Sequence, residues 1–283
     1  MIGQTNLIAK IDSVIDSGLF PRFTIIQGAD GSGKNMLVEH IHNKIGYDLV
    51  EVNLTVDDVR NCIRSAYEIT VPVIYYFRNA DELSPAAKNA LLKITEEPPN
   101  KAYFILTLLN ENSVADTIRS RAIIYQMEPY KPYELKEFLM KYEDGSSKKI
   151  ALEVCDTPGE IELLYANGAE KLLAFAEKVI QNVAHVSIAN ALKIADSIAF
   201  ADTDKHDKFD LALFWKAVIV CYADSTKISD MDVNELKAMS KIVISTKQCI
   251  DMIAKTRGIN KRSLFDIWIL DVRKILGESD GSN

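Results

Sequence analysis

The sequence has no CxxC pair. Its four cysteines, Cys62, Cys155, Cys221 and Cys249, lie far apart among apolar neighbours at helical spacing, so a zinc finger, a thioredoxin-type dithiol and a disulfide framework all lack their ligands. Reduced core or interface cysteines are the reading that fits. The four histidines, His40, His42, His185 and His206, form no ligand grouping, and His40 and His42, two apart on an expected helix, point away from each other. Long apolar runs are missing too: no stretch is apolar enough to span a bilayer. The start, Met1-Ile-Gly-Gln-Thr, has no basic segment followed by an apolar one. A cytoplasmic location without a membrane partner is therefore expected. There is no excess of positive charge. The formal net charge of −7 argues against a surface that grips nucleic acid along its whole extent, and leaves room for a local basic track or for contacts made by partner chains.

What is present is ordinary globular material: 283 residues, 48% hydrophobic and 26% charged, without low-complexity bias, enough for two or three packed domains. One segment stands out. Gly28-Ala-Asp-Gly31-Ser32-Gly33-Lys34-Asn35 has the form of a phosphate-binding loop, with Asn where Ser or Thr is usual. Glycines let backbone N–H groups curl around a phosphate, the helix that begins there points its positive end at the anion, and Lys34 reaches the outer phosphates. The hydroxyl usual at the last position holds magnesium. Asn35 offers a carbonyl oxygen instead, but on a longer, neutral and differently aimed side chain, so a metal would be held poorly. The context agrees, with Phe23-Thr-Ile-Ile26 as an apolar strand entering the loop and Met36, Leu37, His40 and Ile41 at helical spacing after it. The bland alternative is a Gly/Ser turn ahead of an ordinary helix.

The first part of the chain alternates helices and strands. Leu7, Ile8, Ile11, Val14 and Ile15 mark a helical face, and strands are expected at Leu49–Val52, Val73–Phe77, Tyr103–Leu106 and Ala122–Tyr125. Between them lie a helix through Val59, Cys62, Ile63, Ala66 and Tyr67, another from Ser84 to Glu96, and a short one from Val114 to Ser120. Such alternation implies an α/β fold with a parallel sheet covered on both faces and a ligand at the carboxyl ends of its strands. After Glu128-Pro-Tyr-Lys-Pro132 only helical periodicity remains, which marks a domain boundary. Thr157-Pro158-Gly159-Glu160 has the form of a capped helix start. Longer helices are expected over Ser187–Phe200, Lys208–Tyr222, Val233–Thr256 and Lys261–Leu276, and the segment from Gly277 to Asn283 should fray.

Three segments in order, the phosphate loop, Ala80-Asp81-Glu82-Leu83-Ser84 running on through Asn89-Ala-Leu-Leu-Lys93 to Glu96-Glu97-Pro98-Pro99, and Thr117-Ile118-Arg119-Ser120-Arg121, resemble the clamp-loader branch of the AAA+ ATPases. Within that branch the chain looks like the delta-prime family of bacterial DNA polymerase III, helped by Gly258-Ile259-Asn260-Lys261-Arg262-Ser263-Leu264 ahead of the last helix. The resemblance implies a RecA-like P-loop AAA+ domain over residues 1–128, a small helical lid over 129–185, an all-α collar for oligomerisation over 186–276 and a flexible tail over 277–283. It also implies a five-subunit ring with gamma/tau and delta subunits as partners, acting on the beta sliding clamp, with primer-template DNA reached through the assembled complex.

Measured against that family, the hydrolysis positions are altered. Active members carry Asp-Glu, for magnesium and for the attacking water, where this chain has Arg78-Asn79. A guanidinium cannot ligate a cation and an amide cannot take a proton from water. Leu108 and Leu109 stand where a polar sensor belongs, and Pro158-Gly159-Glu160-Ile161 offers no lid arginine. Ser120-Arg121 is kept, and the resemblance makes Arg121 an arginine finger acting in trans on a neighbour's nucleotide; a surface ion pair is the other reading. The family's four-cysteine zinc module is absent, with only Cys62 in that interval, so neither zinc nor any other metal is expected. Gly28, Gly31, Ser32, Gly33, Lys34 and Asn35 are then a vestigial loop. No cofactor is required, and weak binding of ATP, ADP or phosphate is left open. The leading expectation is a non-catalytic clamp-loader subunit. The alternatives are an active P-loop enzyme, either a gamma/tau-type ATPase or a nucleotide kinase, and an AAA+ adaptor outside replication.

Overall fold

The computed structural model describes residues 2–200, 208–223, 231–255 and 258–280. The chain forms two compact units, Met1–Glu134 and Leu135–Asn283.

The first unit runs α1 (Thr5–Asp16), β1 (Phe23–Gln27), α2 (Lys34–Ile45), β2 (Asp48–Glu51), α3 (Val56–Glu68), β3 (Val73–Phe77), α4 (Pro85–Glu96), β4 (Ala102–Leu108), α5 (Asp116–Arg119) and β5 (Ile123–Gln126). All five strands are parallel, in the order β2-β3-β4-β1-β5. Side chains alternate across such a sheet, and the sequence supplies apolar residues for both faces. Phe23, Ile25, Tyr75, Phe77, Phe104 and Leu106 pack under α3 and α4 on one side. Ile26, Ile74, Tyr76, Ile105 and Tyr125 pack under α1 and α2 on the other. The helix starts follow capping chemistry: Thr55 accepts from Asp58 N at the head of α3, and Ser84 accepts from Ala87 N with Pro85 next to it. The expected α3 face is one residue too wide, because Val59, Cys62 and Ala66 are buried while Tyr67 is exposed.

The second unit is helical, with α6 (Pro132–Leu139) running across the division and α7 (Gly145–Val154), α8 (Pro158–Asn167), α9 (Ala169–Asn182), α10 (Ile188–Leu192), α11 (Leu211–Ala223), α12 (Val233–Lys255) and α13 (Lys261–Asp280) following. α11, Leu-Ala-Leu-Phe-Trp-Lys-Ala-Val-Ile-Val-Cys-Tyr-Ala, is apolar nearly all round, and Leu213, Phe214, Trp215, Ala217 and Val218 are buried. Rings of Phe214, Trp215, Phe265 and Trp268 stack edge-on or tilted at its centre, and Trp268 Nε1 donates to the buried Thr246 Oγ1 at 2.9 Å. Asn260 caps α13 by accepting from Ser263 N, and Gly258 ahead of it has φ +84, which explains the Gly-Ile-Asn sequence locally.

Three expectations need correction here. The helix expected over Ser187–Phe200 is only α10, followed by a 3₁₀ turn at Lys193–Ser197 and a strand, β6 (Ile198–Ala199), which pairs in parallel with β7 (Phe209–Asp210). Two-residue strands are too short to show a period of two, and Asp210 is needed to cap α11, where its carboxylate accepts from Ala212 N and Leu213 N. The expected helix start at Lys208 moves to Leu211 for the same reason. At the other end α13 carries past Gly277 to Asp280, since one glycine costs a long helix only about 1 kcal/mol. Thr256 and the rest of the expected tail, residues 281–283, lie outside the described residues.

Candidate phosphate site and its rewired metal position

The loop from Gly28 leaves the carboxyl end of β1 and enters α2, as its glycines allow. Gly31 and Gly33 hold φ of +73 and +90, in the left-handed region where side chains are strained. Gly28 meets a different demand: a Cβ there would lie 2.6 Å from Met127 and 2.9 Å from Ser32 Oγ. Lys34, 6% exposed, turns its ammonium into the loop and donates to the carbonyls of Gly28 and Ala29 at 2.7 and 2.8 Å. Ser32 Oγ is buried without a hydrogen-bond partner. The loop is also held from outside. Tyr130 Oη donates to the Ser32 carbonyl at 2.9 Å, and Gln4 clamps the adjoining backbone by donating to Glu128 O and accepting from Glu128 N. Gln4, Met127 and Tyr130 had no sequence signal, since none belongs to the loop motif.

Beside the loop, Asn35 is tied down. Its Oδ1 accepts from the Tyr76 hydroxyl at 2.6 Å; that hydroxyl lies 3.3 Å from Thr107 Oγ1, which accepts from Asn79 N at 3.0 Å. The strand register makes this possible. Tyr76 and Thr107 face the α2 side, and Thr107 is level with Ile26, one residue before the end of β1. Burial raises the Tyr76 pKa, opposed by its hydrogen bonds to Thr107 and Arg78, so the phenol stays protonated and donating. Arg78 Nε sits 3.2 Å from Glu51 Oε1 on the neighbouring strand, with both side chains about half exposed. Asn79 has φ +53, a conformation asparagine tolerates.

Asp81 does structural work. Its carboxylate accepts from Leu109 N, Asn110 N and Ser113 Oγ, so it pins the segment that follows β4. Glu82 belongs to the same 3₁₀ turn, Ala80–Glu82.

Magnesium, the usual ion of a P-loop ATPase, needs several oxygen ligands in near-octahedral array. The residues present do not fit it. Asn35 Oδ1 is committed to a proton donor, Arg78 brings a positive charge, and Asn79 offers a neutral amide. The buried thiols are also unsuited to chemistry, because burial pushes Cys62 and Cys155 up to about 12 and Cys249 to about 11.

Arg121 stands apart from the loop residues, after α5. Nη1 donates to Thr117 O at 3.0 Å and Nη2 lies 3.4 Å from Glu96 Oε1, with both side chains substantially exposed. An exposed pair of this kind is worth little, so the guanidinium is presented at the surface of its unit rather than locked there. In the second unit Thr157 caps α8, while Glu160 reaches back to Asp156 N and pairs with Lys216 at 2.6 Å. Burial works to lower the Lys216 pKa, but Glu160 and Asp156 outweigh it and leave it raised. Glu160 is therefore committed to a structural pair.

Among the described residues, no helix is long and apolar enough to cross a membrane. Residues 15–131 match the family described as DNA polymerase III, delta subunit. A Replication factor C small subunit of Methanoregula boonei is 26% identical over 48% of this chain and 47% of its own length. A DNA polymerase III subunit delta' of Buchnera aphidicola subsp. Baizongia pistaciae is 33% identical over 29% of this chain and 24% of its own. The chain thus matches about half or less of these relatives' lengths. In structure, a RuvB mutant from Thermotoga maritima is similar with a TM-score of 0.50 and 15% identity, over 96% of this chain and 88% of that one, a likeness of fold alone. The family match and the two curated relatives make part of this chain similar to clamp-loader proteins, and the parallel sheet with its phosphate loop is the fold that such a similarity implies.

Proposed function

We propose that this chain is a non-catalytic, delta-prime-type subunit of a bacterial DNA polymerase III clamp loader. It works in the cytoplasm within a ring of gamma/tau and delta subunits that loads the beta clamp onto primed DNA, and it supplies Arg121 to a neighbour's ATP site. In this reading the second unit serves as lid up to about residue 185 and as collar beyond it. One observation carries the reading: the positions that would bind metal and activate water are occupied by the Arg78–Glu51 pair and by Asn79, whose N–H is bound to Thr107. Arg121, by contrast, is only loosely held. A gamma/tau-type ATPase role draws on the intact Lys34.

Reconstitution with gamma/tau and delta subunits tests the two together. The isolated chain should give no ATP turnover above background. In the complex, Arg121→Ala should leave assembly intact and depress clamp- and DNA-stimulated hydrolysis only in part, because a finger worth about 10³-fold or more serves one site among several. Arg121→Lys should be nearly as damaging, since an ammonium lacks the planar fork that spans two phosphate oxygens. Unchanged ATPase kinetics in the Arg121→Ala complex would remove the finger. Magnesium-dependent turnover by the isolated chain, abolished by Lys34→Ala, would establish the active alternative.

A further inference from the structure

We infer that the Gly28–Asn35 loop is a polyphosphate site that works without a divalent cation, and that Tyr76 is the residue that makes it so. The inference rests on the non-catalytic reading above and adds what the site binds and in which ionic form.

The phosphate half of the loop is built. Gly31 and Gly33 take the left-handed conformations that turn the backbone into α2, a twelve-residue helix whose N-terminus favours an anion. Lys34 is nearly buried with its charge directed into the loop rather than to solvent. Inside the loop Ser32, 4% exposed, carries a hydroxyl with no hydrogen-bond partner, turned toward Gly28. A buried hydroxyl left unpaired costs stability, and an oxyanion in the loop is a partner for it.

The metal half is built against a cation. Three groups face the position beside Asn35, and each disfavours one: the Tyr76 O–H donating to Asn35 Oδ1, the Arg78 guanidinium, and Thr107 Oγ1, already accepting from Asn79 N. A magnesium-bound polyphosphate would have to break the 2.6 Å Tyr76–Asn35 bond and sit beside a positive charge. The free anion needs none of these groups to move: it meets the α2 N-terminus and the Lys34 ammonium, which lies 3.8 Å from the loop's one carboxylate, Asp30. The loop should therefore prefer uncomplexed ADP or pyrophosphate over their magnesium complexes.

The test is calorimetric titration of the full chain with ADP and with pyrophosphate, in EDTA and again in excess magnesium. Free ADP should bind at least as tightly as magnesium-ADP, Lys34→Ala should lose the binding, and pyrophosphate should compete with ADP. In Asn35→Thr/Tyr76→Phe/Arg78→Asp, which restores a hydroxyl and a carboxylate, magnesium should tighten ADP binding by about tenfold or more. Circular dichroism and thermal melting establish that this variant is folded. If it is not, the wild-type comparison decides alone. Tightening of wild-type binding by magnesium of about tenfold, or no binding of either anion in EDTA, would overturn the inference. Both outcomes leave the non-catalytic reading standing, because that reading fails only on turnover.

Discussion

The two halves of the candidate phosphate site are built in opposite ways. At the end of β1 the chain keeps glycines, lysine and the helix N-terminus of an anion cradle. At the ends of β3 and β4, beside it, the polar side chains of Tyr76, Thr107 and Asp81 are hydrogen-bonded to the chain itself, as is the Asn79 N–H. The difference has a physical basis. A phosphate loop is local backbone geometry, so a few residues preserve it and the fold around it uses it. Metal and water activation need several polar groups left free, and free buried polar groups are costly unless a ligand repays them. Where no ligand does so, internal bonds are the stable solution.

The largest effect should come from breaking the loop half. A methyl group at Gly28 has to displace Met127, whose Cβ and Cγ are both 2.6 Å from it, and the adjacent Met127 N–H is bound to Gln27 O. Backbone this closely tied cannot yield as a flexible side chain would. Gly28→Ala should therefore destabilise the first unit by roughly 1–3 kcal/mol, the range for overpacking. Urea denaturation checks it, and a midpoint equal to wild type would show that the loop is more pliable than its contacts indicate.

Asp81 probes the other half. Its carboxylate accepts from two backbone N–H groups and a serine hydroxyl, and an amide in its place loses the charge and puts an NH2 group against the Leu109 N–H where Oδ2 accepted it. Asp81→Asn should cost about 1–2 kcal/mol, within the range for a charged acceptor, and should loosen the segment after β4. Amide exchange at Leu109 and Asn110 reads this directly. Protection there equal to wild type would mean that the segment is held by packing of Leu108 alone.

The loop and two of the capped helices were legible because both are short-range grammar: glycines at positive φ, Ser84 before Pro85, Thr157 before Pro158. The sheet was legible because parallel strands buried on both faces read as apolar runs, although each boundary could slip by a residue, as with β2 at Asp48–Glu51. The hydrogen bonds at the ends of β3 and β4 were not legible. A tyrosine in Val73-Ile-Tyr-Tyr-Phe77 reads as core, and its hydroxyl finds Asn35 and Thr107 only through strand register and the docking of α2. The Arg78–Glu51 pair joins neighbouring strands that no local pattern links. Pairing of β6 with β7 is missed for the same reason: two residues carry no period.

The smallest effect separates what Arg78 does for the fold from what it does at the site. Both side chains of its pair with Glu51 are about half exposed, at 47% and 53%. Exposed pairs contribute about 0–1 kcal/mol and less in salt, so Arg78→Ala should shift stability by under about 1 kcal/mol. Binding tells more than stability. With alanine at this position the positive charge is gone, but the Tyr76 hydroxyl still donates to Asn35 Oδ1, and no carboxylate has been gained. Magnesium should therefore still fail to tighten ADP binding in Arg78→Ala. If the single change is enough to restore magnesium dependence, charge repulsion by Arg78 alone excluded the metal, and the hydrogen-bond network around Tyr76 is only a consequence.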